Sequence, residues 1–346
     1  MNEVPDVSPV NRALLPQIKS IIDNKTMPLG ALGQLEDIAT TLALVQQSLQ
    51  PAIDSPHILV FAADHGIAQN GVSAYPQSVT WQMVMNFLAG GAAINVFASQ
   101  HNATLKIIDV GVNHSFDAHP LLENAKIAMG TGNISNEAAM SVEQLHEAFQ
   151  IGREQVDKAI AAGCNTIGFG EMGIANTSSA ALIMSYCLDL PIADCTGRGT
   201  GLTGQQLQHK IAVLKKVKKE RGPLRSSDDI LQHVGGFEIA AMASAMRHAA
   251  SRQLTVLIDG FICTAAYLSV YREHPHIADY AIFCHQSQEQ GHQQLLQTLR
   301  AKPLLAMNLR LGEGTGCALA IPMLYSAVNF FNSMASFDTA SVDGPA

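Results

Sequence analysis

Short, mainly apolar runs alternate with longer segments of helical character from residue 57 onward. The apolar runs span 58–63, 105–110, 166–169, 191–193, 255–258 and 280–283. Short, mainly apolar runs that are rich in Val and Ile are typical of strands buried on both faces, and helices between such strands indicate right-handed crossovers. The helical segments span 78–99, 141–162, 176–189, 204–219, 236–251 and 288–301. The pattern therefore predicts an α/β fold with a mostly parallel sheet.

Both ends of the chain have a helical pattern instead. Within residues 9–50, apolar side chains recur at the spacing of one helix face. A second apolar helix is predicted over residues 317–337. We expect these regions to pack together, so that residues 1–50 and 315–346 form a small helical domain beside a large α/β domain of residues 51–314.

Composition restricts the class of protein. With 47% hydrophobic and 14% charged residues, the 346-residue chain predicts a well-buried globular protein. A net charge of −8 argues against a nucleic-acid partner, and the lack of any run of about 18 apolar residues argues against a membrane span. The 6 cysteines contain no C-x-x-C pair, and the 13 histidines show no metal-ligand spacing. We therefore expect a cytoplasmic enzyme with reduced thiols and no metal site.

Polar and glycine-rich clusters follow the predicted strands. Since the carboxyl ends of parallel strands meet at one edge of a sheet, these clusters are expected to line a single cavity. They are Asp64-His65-Gly66, Asp109-Val110-Gly111, Gly168 to Gly173, Asp194 to Gly199, Asp259-Gly260, His285-Gln286-Ser287 and, as a seventh, Leu311 to Gly316. For Asp64 and His65 we expect a buried hydrogen bond that orients loops rather than a catalytic pair.

Two glutamates stand out within these clusters. Glu171 and Glu313 each have glycine neighbours at a predicted strand-to-helix junction. A carboxylate there can act as a general base if an apolar pocket raises its pKa toward neutrality. The alternative is a charge at a helix N-terminus, stabilised by the helix dipole. The repeated glycine–glutamate context favours the catalytic interpretation.

A second set of residues predicts an anion site. Residues 170–179 would present backbone N–H groups and the hydroxyls of Thr177 and Ser178 at the start of a helix. Ser287 precedes another predicted helix. A phosphate-sized anion fits these donors, with Lys210 as a candidate counter-charge. The alternative for Lys210 is an ordinary surface lysine.

One segment matches a dinucleotide fingerprint. Residues 199–204 read G-x-G-x-x-G, but the preceding predicted strand is short, and no ribose-binding acid follows on a clear strand end. No G-x-x-x-x-G-K-[ST] loop occurs, which argues against kinase or ATPase chemistry. A dinucleotide-dependent oxidoreductase therefore stays an alternative function.

The helix predicted after residue 78 carries side chains that suit a planar ligand. Tyr75, Met83 and Phe87 could form a flat apolar slot for an aromatic base, because thioethers and aromatic faces pack well on planar rings. Ordinary core packing explains the Met and Phe residues equally well.

Taken together and in order, several blocks of this sequence are highly specific. They are Pro28 to Glu36, Ala63 to Gly66, Ile108 to Gly111, Gly170 to Thr177, Val234 to Glu238, Asp259 to Phe261 and Leu311 to Gly316. Over nearly its whole length the chain resembles the nicotinate-nucleotide:5,6-dimethylbenzimidazole phosphoribosyltransferases, which make the lower-ligand nucleotide of cobalamin. The resemblance implies a three-layer, Rossmann-like sheet domain and a small helical domain. It also implies a homodimer in which the neighbouring subunit covers each cavity.

The resemblance also implies roles for particular residues. It makes Glu313 the general base and Glu171 the second active-site glutamate. The phosphate and ribose contacts it implies are Gly173, Asn176, Thr177, Lys210, Ser287 and Gly314. The base-binding residues are Tyr75, Met83, Phe87 and Leu311. No cofactor is implied.

The implied reaction transfers the 5-phosphoribosyl group of nicotinate mononucleotide to 5,6-dimethylbenzimidazole or a related base, with inversion at C1′. The Ser-Pro and downstream Gln of enteric members are replaced here by Tyr75-Pro76 and Met83, which leaves the preferred base open. A non-catalytic nucleotide-binding protein on the same fold is a further alternative.

Overall fold

A parallel sheet forms the centre of the computed structural model, which describes residues 6–199 and 201–343. Its strands are β1 (His57–Ala63), β2 (Thr104–Gly111), β3 (Leu122–Asn124), β4 (Thr166–Met172), β5 (Thr255–Ile258) and β6 (Ala281–Phe283). They lie in the order β3-β2-β1-β4-β5-β6, and every neighbouring pair is parallel. All positions of β1 and β4 are buried, as expected for strands covered on both faces. The predicted fold class is confirmed.

Helices connect and flank these strands. In the described residues they are α1 (Leu15–Asp23), α2 (Gln34–Val45), α3 (Val79–Leu88), α4 (Ala93–Gln100), α5 (Val142–Ala161), α6 (Asn176–Cys187), α7 (Ile192–Cys195), α8 (Gly204–Arg221), α9 (Ser227–Val234), α10 (Phe237–Ser251), α11 (Phe261–Tyr271), α12 (Gln290–Thr298), α13 (Thr315–Ser333) and α14 (Phe337–Ala340). Within this described part, no helix combines the length and apolar character needed to cross a membrane.

Local chemistry sets several of these boundaries. Before α5, the Ser141 hydroxyl accepts the Gln144 N–H and the Gln144 side chain accepts the Ser141 N–H, which is a capping box. In the middle of α5, a side chain at Gly152 would collide with the Ala241 carbonyl of α10. Glycine there allows the close packing of α5 on the alanine-rich α10, which lies against the sheet.

The structure corrects three details of the predicted elements. Residues 191–193, predicted as a strand, lie at the start of the short helix α7. The segment 78–99, predicted as one helix, is divided into α3 and α4 around Gly90, whose φ of +77° suits glycine. The edge strand β3 and helices α9 and α11 were not predicted.

The helices at the two ends of the chain lie together. Helix α2 packs against both α1 and α13, and the Lys25 ammonium donates to the Met334 carbonyl at 2.6 Å. Helix α13 also contacts α4 and β4, so it joins the terminal helices to the sheet. The domain limits at 50 and 315 stay a prediction.

Candidate active site

Most of the predicted site residues line one cavity beyond the carboxyl ends of β4, β5 and β6. Those that line it are Glu171, Gly173, Asn176, Thr177, Ser287, Leu311 and Glu313. Lys210 lies directly behind Thr177, and Gly314 follows Glu313 in the same turn. The strand-end clusters of β4, β5 and β6 therefore meet at one place, as parallel topology requires.

Glu313 is carried by an unusual backbone turn. Gly312, Glu313 and Gly314 have φ values of +82°, +63° and +78°, a left-handed conformation that glycine adopts freely and glutamate rarely does. The turn crosses the end of β4 at Gly170, where a side chain would collide with the backbone of Glu313 and Gly314. The flanking glycines thus bring this carboxylate against the sheet.

The environment of Glu313 suits a proton acceptor. Its side chain is only 5% exposed, and burial, followed by the negative charge of Asp259, raises its pKa to about 7. Within the described residues its carboxylate accepts no hydrogen bond. An ionised carboxylate with few partners and a pKa near neutrality is matched to general-base catalysis.

Glu171 lies across the cavity at the end of β4. Its carboxylate accepts a hydrogen bond from the Asn176 amide and lies beside Gly312, where a side chain would collide with it. Burial raises the pKa of Glu171 well above its usual value, against the effect of the Asn176 hydrogen bond, and the charges of Glu238, Asp259 and Glu313 add to the increase. Burial and the neighbouring negative charges therefore favour the protonated form of Glu171 in the free protein.

A cationic pocket lies at the start of α6. The Lys210 ammonium, on a side chain that is 1% exposed, donates to the Thr177 hydroxyl at 2.7 Å. Burial lowers the pKa of Lys210 to about 8, although the charge of Glu289 acts in the opposite direction. Gly199 lies beside both groups, and Ser287 lines the same cavity. A buried, weakly paired ammonium at a helix start is suited to a phosphate group, and the surface-lysine alternative is wrong.

The predicted base-binding residues are less closely grouped. Leu311 lines the cavity and is 54% exposed. Tyr75 is exposed, Met83 is half-buried, and neither is part of the cavity lining. Phe87 has no exposed surface and packs in the core of the sheet domain, so the core-packing alternative holds for it. Contact of Tyr75 and Met83 with a base stays a prediction.

Some residues of the site have roles that were missed in the sequence. Asp259, after β5, accepts the backbone N–H groups of Gly314 and Gly316. Arg310 and Glu289 line the cavity. Gly260, which follows Asp259, indicates a loop in the sequence. The hydrogen-bond partners of Asp259 lie too far along the chain to be predicted.

The prediction that Asp64 and His65 form a hydrogen bond with each other is wrong, because each has a different partner. His65 contacts the Glu238 carboxylate at 2.6 Å, and both side chains are buried. Asp64 instead accepts the Asn113 N–H at 2.8 Å. The reason is that the strand-end loop at 64–66 packs against the start of α10, where Glu238 lies.

The dinucleotide fingerprint lacks its structural context. Thr200 lies outside the described residues, and the element before the loop is helix α7 rather than a strand. The strand–loop–helix arrangement that gives the motif its meaning is therefore missing. In the described ranges 6–199 and 201–343, no group of three His, Cys, Asp or Glu side chains is arranged to hold a metal ion.

Comparison with known proteins gives matches over nearly the full length. A family model described as "Phosphoribosyltransferase" matches residues 7–342. The chain is 51% identical over 340 residues to the nicotinate-nucleotide–dimethylbenzimidazole phosphoribosyltransferase of Cupriavidus taiwanensis, covering 98% of each chain. It is 49% identical over 339 residues to the protein of that name from Photobacterium profundum, again covering 98% of each. The crystal structure of CobT from Thermus thermophilus matches with a TM-score of 0.92 at 38% identity, covering 96% of this chain and 99% of that one.

Proposed function

The chain belongs to the nicotinate-nucleotide–dimethylbenzimidazole phosphoribosyltransferase family, and from that premise we propose its reaction and the residues that carry it. The protein transfers the 5-phosphoribosyl group of nicotinate mononucleotide to 5,6-dimethylbenzimidazole or a related base. Nicotinate leaves, and α-ribazole 5′-phosphate forms for the lower ligand of cobalamin. A single observation carries the assignment of roles: the buried Glu313 carboxylate, with a pKa of about 7, shares one cavity with an anion pocket.

The proposed mechanism assigns one proton transfer to Glu313. The donor carries a cationic pyridinium on C1′, so the bond from C1′ to that nitrogen breaks to release a neutral ring without help from an acid. The incoming imidazole nitrogen forms the new bond to C1′, and the benzimidazole loses its N–H proton to Glu313. Attack from the face opposite nicotinate inverts C1′. Because no pyrophosphate leaves, the chemistry requires no metal.

Glu171 is proposed to act through charge. Its pKa is raised in the free protein by burial, and the positive charge of the bound pyridinium favours its ionised form. An ionised Glu171 beside C1′ would stabilise the positive charge that develops on the ribose ring in the transition state. Asn176, which donates to Glu171, fixes the direction of that carboxylate.

The remaining residues of the cavity are proposed to position the substrates. Lys210, Thr177 and Ser287 bind the 5′-phosphate, and Gly173, Asn176 and Gly314 contact the phosphate or ribose. Leu311 covers the base together with Tyr75 and Met83. Fixing donor and acceptor in line lowers the barrier by removing their orientational freedom.

The reaction can be tested with purified protein, nicotinate mononucleotide and 5,6-dimethylbenzimidazole in a chelating buffer. Chromatography is expected to show equal amounts of nicotinate and α-ribazole phosphate. If neither forms with this base, adenine or unsubstituted benzimidazole, while nicotinate mononucleotide still binds, the protein is a non-catalytic nucleotide-binding protein. Product with another base only would keep the reaction class and change the acceptor.

The protein is further proposed to be a cytoplasmic homodimer in which the neighbouring helical domain covers each cavity. Leu311 supports this arrangement, because it lines the cavity and yet is 54% exposed in the single chain. Sedimentation velocity is expected to give twice the chain mass of 36.9 kDa. A monomer at the concentration used for turnover would contradict a shared active site.

A further inference from the structure

The turn that carries Glu313 is held by a second buried carboxylate. Asp259 follows β5, and its side chain is 1% exposed. One of its oxygens accepts the Gly314 N–H at 3.1 Å, and the other accepts the Gly316 N–H at 2.7 Å. These donors lie at the residue after Glu313 and in the first turn of α13. A single carboxylate therefore connects the end of β5 to the catalytic turn.

Such a connection has a physical reason. A non-glycine residue in the left-handed region is unfavourable and persists only where surrounding contacts determine the conformation. The φ of Glu313 is +63°, and its own carboxylate forms no hydrogen bond that would hold it within the described residues. The hydrogen bonds that the backbone N–H groups of Gly314 and Gly316 donate to Asp259 hold the turn in this conformation instead.

Asp259 is itself fixed on its other side. The His285 Nε2 atom lies 3.3 Å from Asp259 Oδ1, and both side chains are almost fully buried. Burial alone would lower the pKa of His285, but the hydrogen bond and the charge of Asp259 raise it above its ordinary value. A side chain at Gly316 would collide with both groups. The Asp259–His285 pair thus leaves the turn little room to move.

We propose that Asp259 is a positioning residue, which holds the Glu313 carboxylate at the place where the base's proton is removed. The proposal deepens the function proposed above and rests on Glu313 as the general base. Asp259 does not line the cavity, so it acts through the turn and through its charge rather than by touching substrate.

The charge of Asp259 gives the proposal a specific signature. The cavity that Glu313 lines is also lined by the charged or titratable residues Glu171, Cys263, His285, Glu289 and Arg310. Asp259 lies behind the turn, at Gly314. Burial and then Asp259 raise the pKa of Glu313. A base acts when ionised, so kcat/KM should rise with pH through about 7 and fall again above about 8, where Lys210 loses its proton. The rising part of this pH profile is its acid limb. Loss of the Asp259 charge should lower the pKa of Glu313 and move the acid limb to lower pH.

Asp259→Asn is the primary test, because asparagine keeps the shape and removes the charge. We expect kcat to fall by about 10-fold to 100-fold as the turn loosens. We also expect the acid limb to move down by about 0.5 to 1 pH unit. Titration of the Glu313 carboxyl in the free protein, by ¹³C NMR with Glu313→Gln for assignment, should show the same shift without requiring turnover.

Asp109→Asn is the matched control. Asp109 is also 1% exposed and accepts two backbone N–H groups, those of Gly111 and Val112, but it lies near the carboxyl end of β2 and does not line the cavity. It should lower the melting temperature and leave the Glu313 titration unchanged. Asp259→Ser removes the same charge with a smaller side chain and should shift the titration in the same direction if the asparagine variant does not fold.

The outcomes separate the two proposals. An unchanged Glu313 titration together with a wild-type kcat in Asp259→Asn would overturn the positioning role. The role would also be overturned if Asp109→Asn lost kcat and shifted the Glu313 titration as much as Asp259→Asn does. The effect would then follow from the loss of any buried carboxylate that accepts backbone N–H groups. If wild-type protein releases no nicotinate, the proposed function fails, while the NMR titration still decides whether Asp259 controls Glu313.

Discussion

Replacing Glu313 by glutamine is expected to reduce kcat for nicotinate release by about 10²-fold to 10⁴-fold. Glutamine keeps the shape of the side chain, which is 5% exposed, but it cannot accept the proton of the incoming base. The KM for nicotinate mononucleotide should change little, because the residues proposed to bind its phosphate are Thr177, Lys210 and Ser287. Steady-state kinetics at a pH between about 7, where Glu313 ionises, and about 8, where Lys210 loses its proton, give the clearest comparison.

Two further measurements make this result specific. Glu313→Asp keeps an acid that is one methylene shorter, so it should retain more activity than the glutamine variant. Because the pKa of Glu313 is higher in the folded protein, ionisation of this carboxyl lowers the free energy of unfolding. The loss is absent below the ordinary pKa of 4.5, grows as the pH rises, and is complete above about 7. Glu313→Gln should therefore unfold at a higher temperature at pH 8 and gain nothing at pH 4. Turnover within about threefold of wild type would transfer the role of base to Glu171.

The fold could be predicted where burial is continuous. The runs that form β1, β2, β4, β5 and β6 carry apolar side chains on both faces, and only a sheet covered by helices buries such runs. The run 191–193 was assigned incorrectly because three apolar residues do not distinguish a strand from a helical turn, and Pro191 suits a helix start. Strand β3 was missed because it is short, half-exposed and at the sheet edge.

The site could be predicted as far as topology determines it. Glu171 and Ser287 are more than a hundred residues apart, yet one lies at the carboxyl end of β4 and the other beyond the carboxyl end of β6, so both line one cavity. Side-chain direction is a different matter. The sequence could not show that Phe87 faces the core, because the face that α3 presents depends on its packing. The anchoring of Gly314 by Asp259 depends on a contact across 55 residues, which no local pattern reports.

Lys210 gives the second large expected effect. Lys210→Met keeps the length of the side chain but removes its charge and its hydrogen bond to Thr177. If the ammonium binds the 5′-phosphate, the Kd for nicotinate mononucleotide should rise by about 10-fold to 100-fold, as charged hydrogen bonds contribute about 1.5–3 kcal/mol. Isothermal titration calorimetry at pH 7 measures this Kd directly. In wild type the affinity should also weaken as the pH rises through about 8, where Lys210 loses its proton.

Lys210→Met should stabilise the fold although it weakens substrate binding, and this combination separates a binding role of Lys210 from a structural one. Burial lowers the pKa of Lys210, so the charged form costs folding free energy at pH 7, and this cost disappears above the unfolded pKa of about 10.4. Lys210→Met should thus raise the melting temperature while weakening binding. Lys218→Met, on the same helix, removes an ammonium that donates to Ser185 and Leu190. It should lower the melting temperature and leave the Kd unchanged. If Lys210→Met instead lowers the melting temperature and keeps wild-type affinity, the buried ammonium supports the fold and the phosphate binds elsewhere.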